Sequence, residues 1–283
     1  MHSHNGIKTV LLLGALSAIF LVAGSAIAGR QGLIYGLGFA VLTNVFSYFF
    51  SDKLALSMSG AQPLTEAENP EIYRRVAPLV RNLCNRMQLP LPKLYITPEE
   101  SPNAFATGRD PNHSSLAFTA GILQVMNNSE LEGVVAHELG HVLHRDILIS
   151  SVAATVAAAI TALARMAFWF GGRRDDEEEG GGVGAIAMMI LAPIAALLIQ
   201  MAISRTREYD ADAASAKYTG NPQELISALT KLESWSQRIP MDVNPATSHL
   251  YIIKPFTGQS LMRMFSTHPS TADRIARLES MRG

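Results

Sequence analysis

His137-Glu138-Leu139-Gly140-His141 narrows the folds open to this chain more than any other segment, because it sets two imidazoles one helical turn apart with a carboxylate beside the first. Positions i and i+4 share a helical face, so both rings can reach one zinc ion while the glutamate at i+1 stays beside it as a base. The neighbourhood agrees with a helix. Ser129-Glu130-Leu131-Glu132 has capping-box spacing, and Leu131, Val134, Val135, Leu139, Val142 and Leu143 supply apolar periodicity around the histidines. A closed structural zinc site would draw on cysteines, and the chain has one, Cys84.

Of the 283 residues, 48% are hydrophobic, enough for a core and for something more. The excess sits in blocks. Val10–Gly29 and Gln31–Ser51 are uncharged runs of twenty and twenty-one residues, each long enough to cross a bilayer as a helix, with Arg30 alone between them. Ile147–Ala164, extended past Arg165 to Phe170, is a third run and Gly180–Ser204 a fourth. Lys8, Val10–Val22 and Ala26-Ile27-Ala28 also match a cleaved secretory signal, but the second run follows at once, as expected of a helical hairpin. The Ala-rich third and fourth runs are open to a second reading as buried helices.

These blocks predict a mainly α fold with a small β-sheet, in which a zinc hydrolase domain is joined to four transmembrane helices. Residues 1–51 form an N-terminal hairpin, and 52–146 a first soluble piece with the zinc helix. Residues 147–204 form a second hairpin with a glycine-fenced acidic loop at 171–182, and 205–283 the second soluble piece. In the first piece an amphipathic helix is expected near Asn69–Gln88, and strands at Lys93–Thr97, Asn103–Thr107 and Ser114–Thr119. The second piece reads as mainly helical. Lys8, Lys53, Arg145, Arg205 and Arg207 flank the runs on one side, against Arg30, Arg173 and Arg174 on the other, which places the soluble pieces in the cytoplasm. A single cysteine fits that reducing compartment, and a net charge of −1 without a basic stripe argues against nucleic-acid partners.

A catalytic zinc site needs three protein ligands, and the helix motif supplies two. His144, His249, His268 and the acids of Arg207-Glu208-Tyr209-Asp210-Ala211-Asp212 are the candidates for the third. His144 lies on the zinc helix almost a turn beyond His141 and cannot easily bend back to the same ion. Glu208 and Asp212 share a helical face, so one can bind metal while the other holds a ligand imidazole. Spacing alone slightly favours a solvated acidic face.

His137-Glu138-Leu139-Gly140-His141, Arg207-Glu208-Tyr209-Asp210-Ala211-Asp212, Asn103-Ala104-Phe105-Ala106-Thr107-Gly108 and Phe265-Ser266-Thr267-His268-Pro269, with flanking membrane spans, together resemble the HtpX family of bacterial membrane zinc metalloproteases. The resemblance covers nearly the whole chain, but not the acidic loop or the His2-Ser3-His4 start. It implies a gluzincin-like, multi-pass protease of the bacterial inner membrane with its active site facing the cytoplasm. It further implies one zinc ion per chain and polypeptide substrates, namely misfolded or damaged membrane proteins cut in envelope quality control. Glu208 becomes the third ligand and Asp212 its neighbour behind a ligand imidazole. Glu138 is expected to take a proton from the attacking water and pass it to the departing amine. Asn103, Ala104, Phe105 and Ala106 would form an exposed edge on which a substrate adds as a strand; an ordinary edge strand is the alternative. Two readings stand for His268: a donor to the oxyanion, or a residue next to a Pro269 that only opens a helix, with Arg274 solvated or paired to Asp212. A metal transporter would need ionisable groups at mid-membrane depth, which runs one, two and four lack. A zinc-stabilised chaperone is opposed only by the intact Glu138.

Overall fold

The computed structural model describes residues 2–153, 155, 205–236, 252 and 269–282. Helix α1 spans His2–Met58, but Ala28 (φ −140°, ψ 26°) and Gly29 (φ 53°, ψ −134°) leave helical geometry and the chain doubles back there. Gly29 takes a left-handed φ that costs it nothing, for want of a Cβ. The two arms touch along their length: Asn44 Nδ2 donates to Ser17 Oγ at 2.9 Å, and the Phe20 and Phe39 rings meet edge-on at 4.7 Å. This is the hairpin expected on either side of Arg30, with its second arm running on past Ser51 to Met58.

Ala28–Met58 is long and apolar enough to cross a bilayer, with mean hydropathy 1.6, and only 17% of its most apolar window is buried. Leu33, Ile34, Leu37, Phe39, Val41 and Leu42 point outward, which a core helix in water would not allow. Thr9–Val22 is apolar but shorter. Among the described residues one helix therefore meets the spanning criterion, where four were expected. A helix starts at Ile147, but residues 156–204, with the rest of run three, run four and the acidic loop, lie outside the described residues.

The sheet has strand order β1-β2-β4-β3, from β1 (Gln62–Pro63), β2 (Lys93–Thr97), β3 (Ala104–Gly108) and β4 (Ser114–Thr119). β2 and β4 run parallel, and both outer pairs are antiparallel. β2 and β4 have the expected bounds, and β3 starts one residue later than expected. The two-residue β1 is too short to leave an alternation in the sequence.

Helix α2 (Pro70–Met87) buries Val76, Val80, Leu83, Cys84 and Met87 along one face and ends at Gln88 in the left-handed region. α3 (Ala120–Val125) is a short turn into α4 (Asn128–Leu143), and α5 (Arg205–Thr219), α6 (Pro222–Ser236) and α7 (Thr271–Glu279) follow. α4 is central: Leu131, Val134, Val135 and Leu139 are fully buried in the main core. Each such side chain contributes about 1.5–3 kcal/mol of burial.

The cap of α4 lies two residues before the expected one. Asn127, not Ser129, forms the capping box, with Glu130 as its reciprocal partner. The shift has a packing cause. Starting at Asn128 turns Glu130 inward, where its carboxylate also accepts from Ser227 Oγ at 2.6 Å and Lys231 Nζ at 2.7 Å on α6.

Candidate metal centre

The motif helix and α5 cross where α4 has no side chain. A Cβ at Gly140 would stand 3.0 Å from Ala211 Cα and 3.2 Å from Ala214 Cβ, tighter than ordinary van der Waals contact, so a larger residue would press α5 away by a few tenths of an ångström. The crossing carries Glu208, one turn before Ala211, to the face that bears both histidines. His137 Nε2 lies 3.7 Å from Glu208 Oε2, and His141 Nε2 lies 3.7 Å from Glu208 Oε1. One ligand atom from each of the three residues falls within 4.8 Å of the others.

The other ring nitrogens point away from this centre. His137 Nδ1 is 3.0 Å from Asp212 Oδ1, and His141 Nδ1 is 3.3 Å from Asp146 Oδ2. A carboxylate on Nδ1 favours the tautomer with its proton there and its lone pair on Nε2, the nitrogen facing Glu208. Two imidazole nitrogens and one carboxylate, each imidazole backed by an outer acid, form the donor set of a catalytic zinc site that keeps a position open. These residues fit zinc.

Charge is balanced by Arg274, 2% exposed. Its Nε and Nη2 donate to Asp212 Oδ2 and Oδ1 at 2.9 and 2.6 Å, and its Nη1 to Ile252 O at 2.9 Å. Burial alone would raise the Asp212 carboxyl, but the Arg274 charge and the bond from His137 hold it far below the usual range. Burial, aided by Arg274, lowers His137, which leaves that imidazole neutral as a ligand must be. His141 is raised to about 9: burial opposes this, and the Asp146 hydrogen bond with the Glu208 and Glu138 charges outweighs it.

Glu138 stands on the same helix as the histidines, with Oε2 accepting from Ala106 N at 3.0 Å. Burial, with Glu208 adding its charge, lifts this carboxyl to about 7. The donor belongs to β3, which among the described residues pairs only with β4 and stands at the sheet's edge. Because antiparallel strands alternate, the Ala106 bond to Glu138 identifies Ala104 and Ala106 as the residues whose N–H and C=O face away from β4.

The structure thus brings His137, His141, Glu208, Glu138, Asp212 and Ala106 together. It uses Asn103 and Phe105 differently from the expectation. Asn103, 1% exposed, accepts Ile252 N at its Oδ1 at 3.1 Å, and Phe105 packs in a small cluster with Ala55, Leu56 and Ala117. The expected exposed edge is an edge in its pairing only, since all five β3 residues are buried, covered in part by α1 and α4. His144 closes α4 and is not among the metal-binding group. His249 and His268 lie outside the described residues. Of the two readings of Arg274, the pairing with Asp212 is the one found. Ser270, not Pro269, caps α7. Asp146 was not foreseen, because it lies past the end of the helix where spacing rules stop.

Residues 66–282 match the sequence profile of peptidase family M48. Similar full-length relatives, each described as a protease HtpX homolog, come from Thermodesulfovibrio yellowstonii (52% identical, 97% of this chain and 98% of that one) and Pelotomaculum thermopropionicum (49%, 98% and 99%). A third, from Burkholderia mallei, is 48% identical over 98% of this chain and 97% of its own. Among solved structures, the fold is similar to that of S. mikatae Ste24p, with TM-score 0.51 and 21% identity over 96% of this chain and 64% of that one.

Proposed function

Because this chain belongs to the HtpX family within peptidase family M48, we propose that it is a membrane-bound, zinc-dependent endopeptidase with a glutamate general base. The observation that carries this reading is the convergence of His137 Nε2, His141 Nε2 and the Glu208 carboxylate, with Glu138 one residue from the first ligand. When bound, zinc would supply Lewis-acid polarisation of the scissile carbonyl and a more acidic water.

The chain's own residues do the rest. Glu138, held by the Ala106 N–H and raised to about 7, is matched to accept a proton from water and release it to the departing amine near neutral pH. Asp212, clamped by Arg274, keeps His137 in its ligand tautomer. An extended substrate would add to the outward side of β3, through the backbone of Ala104 and the carbonyl of Ala106, once the cover over that buried edge gives way. Asn103 serves this strand by anchoring its start to Ile252.

Membrane-protein substrates, and with them a role in envelope quality control, are favoured by the position of β3 against the hairpin. Phe105 packs on Ala55 and Leu56 near the end of α1, and the Arg109 guanidinium lies 5.5 Å over the Phe49 ring. The substrate edge is thus joined to the end of the spanning helix. Purified protein with zinc is expected to fragment unfolded casein, to stop after chelation and to resume when zinc is returned. Casein bound without fragments would make the protein a chaperone instead.

Topology follows from parity. His141 and Glu208 meet in one centre, so residues 147–204 must cross the bilayer an even number of times; one crossing would separate the ligands by about 30 Å of hydrocarbon. With two crossings the acidic loop is periplasmic and the metal centre cytoplasmic. Native Cys84 cannot report on this, being 1% exposed with its thiol pushed by burial to about 11. Introduced cysteines can. Glu177→Cys is expected to label in intact cells with a membrane-impermeant reagent, and Glu66→Cys, at an exposed position, only after lysis. No labelling of Glu177→Cys would make the second pair of runs buried or re-entrant, and labelling of Glu66→Cys in intact cells would reverse the orientation.

A further inference from the structure

Asp146 is 3% exposed and meets His141 although helical spacing would keep them apart. Five residues along a continuing helix, the two side chains would diverge by about 140°. The chain instead breaks the helix. His144 is the C-cap of α4, and Arg145 follows at φ 58°, in the left-handed region that residues with a Cβ avoid. Arg145 N donates to Val142 O at 3.1 Å and Asp146 N to His141 O at 2.8 Å. These are the paired bonds of a Schellman ending, whose left-handed residue is ordinarily glycine. The turn folds Asp146 back onto the last turn of α4 and sets its Oδ2 3.3 Å from His141 Nδ1.

We propose that Asp146 is a positioning residue for His141, fixing the proton on Nδ1 so that Nε2 faces Glu208 and the metal. The inference rests on the zinc-peptidase reading above. The turn's two closing bonds use the backbone N–H groups of Arg145 and Asp146, while the Asp146 carboxylate reaches the imidazole. Behind it, Arg207 Nε stands 4.0 Å from Asp146 Oδ1, in the place that Arg274 holds behind Asp212 on the other ligand. Each ligand imidazole thus has its own outer carboxylate, one from α5 and one from the end of α4, and the two rings are held at 86° to each other. The same turn starts the helix at Ile147, with Ser150 N donating to Asp146 O at 3.3 Å. That helix is fastened to the substrate strand as well, where Ser151 Oγ shares a hydrogen bond with Thr107 Oγ at 2.7 Å.

The test uses the full-length protein in detergent and reads zinc affinity by competition with a chelator, together with the visible absorption of the Co2+-substituted protein. Asp146→Asn keeps the turn's backbone bonds and is expected to weaken zinc on the order of 10- to 100-fold and to shift the Co2+ bands. Asp146→Glu, which returns the carboxylate, should recover most of the affinity. A second pair addresses the turn without touching the carboxylate. Arg145→Gly suits the left-handed position and should keep wild-type affinity, whereas β-branched Arg145→Val should unseat Asp146 and weaken zinc as Asp146→Asn does. Wild-type affinity and Co2+ bands in Asp146→Asn, with zinc lost in His141→Ala, would overturn the role of Asp146 and leave the zinc reading intact. Zinc unaffected in both would overturn the zinc reading itself.

Discussion

Glu138→Gln is expected to abolish proteolysis and to leave zinc in place. Glutamine has nearly the volume of the glutamate it replaces, and its Oε1 can still accept the Ala106 N–H, so the packing of a 4% exposed side chain is preserved. What disappears is the capacity to take a proton. General-base loss costs about 10²-fold or more, while His137, His141 and Glu208 are untouched. Metal analysis and casein cleavage on one preparation decide the matter: activity above a few per cent of wild type would remove Glu138 from the role of base. A related substitution isolates the backbone donor. Ala106→Pro deletes an N–H that faces away from β4, which is where an edge strand tolerates proline. It should lower kcat with zinc retained, because Glu138 loses the bond that aims it.

The sequence reveals the elements whose pattern is local. α2, β2 and β4 carry their signals within a few residues: an apolar face at helical spacing, or alternation bounded by turn residues. Glu138 and the two histidines are legible for the same reason, since one helical turn sets their relation. Glu208 is different. Its spacing with Asp212 says only that two acids share a face, and what makes one a ligand candidate is a crossing at Gly140 some seventy residues earlier. Resemblance to a family supplied that link. Asp146 escaped both routes, because its approach to His141 depends on a left-handed residue that is arginine, so no glycine marks the turn. The place of Asn103 depends on a distant partner: Ala104 and Ala106 present their backbone away from β4, and the asparagine before them accepts Ile252 N at its side-chain Oδ1. The cap of α4 is not legible in the sequence, because Asn127–Glu130 and Ser129–Glu132 offer equal spacing, and the contacts of Glu130 with α6 distinguish them.

Glu208→Ala, like His137→Ala and His141→Ala, is expected to lose zinc, whereas His144→Ala keeps it. For the histidines the argument is donor number: two protein ligands do not make a catalytic zinc site. For Glu208 charge adds to it. The Arg274 guanidinium lies 3.7 Å from Glu208 Oε2 and 3.3 Å from His137 Nδ1, so removing the carboxylate leaves a buried cation facing the place a dication must occupy. Glu208→Gln separates the two effects, since it keeps an oxygen donor and removes the charge; it should hold zinc better than Glu208→Ala and worse than wild type. Asp212→Asn acts from one step further out, with a loss on the order of 10- to 100-fold in affinity. It also strips Arg274 of its paired anion in a site where both side chains are nearly inaccessible, and breaking a buried pair from one side costs about 3–5 kcal/mol of stability. Asp212→Asn should therefore melt at lower temperature even without metal, while Glu208→Ala should show its main deficit in zinc binding. Zinc titration and thermal unfolding of each variant, with and without metal, measure both quantities. Full zinc content in Glu208→Ala would place the third ligand elsewhere, and His268 would be the next residue to replace.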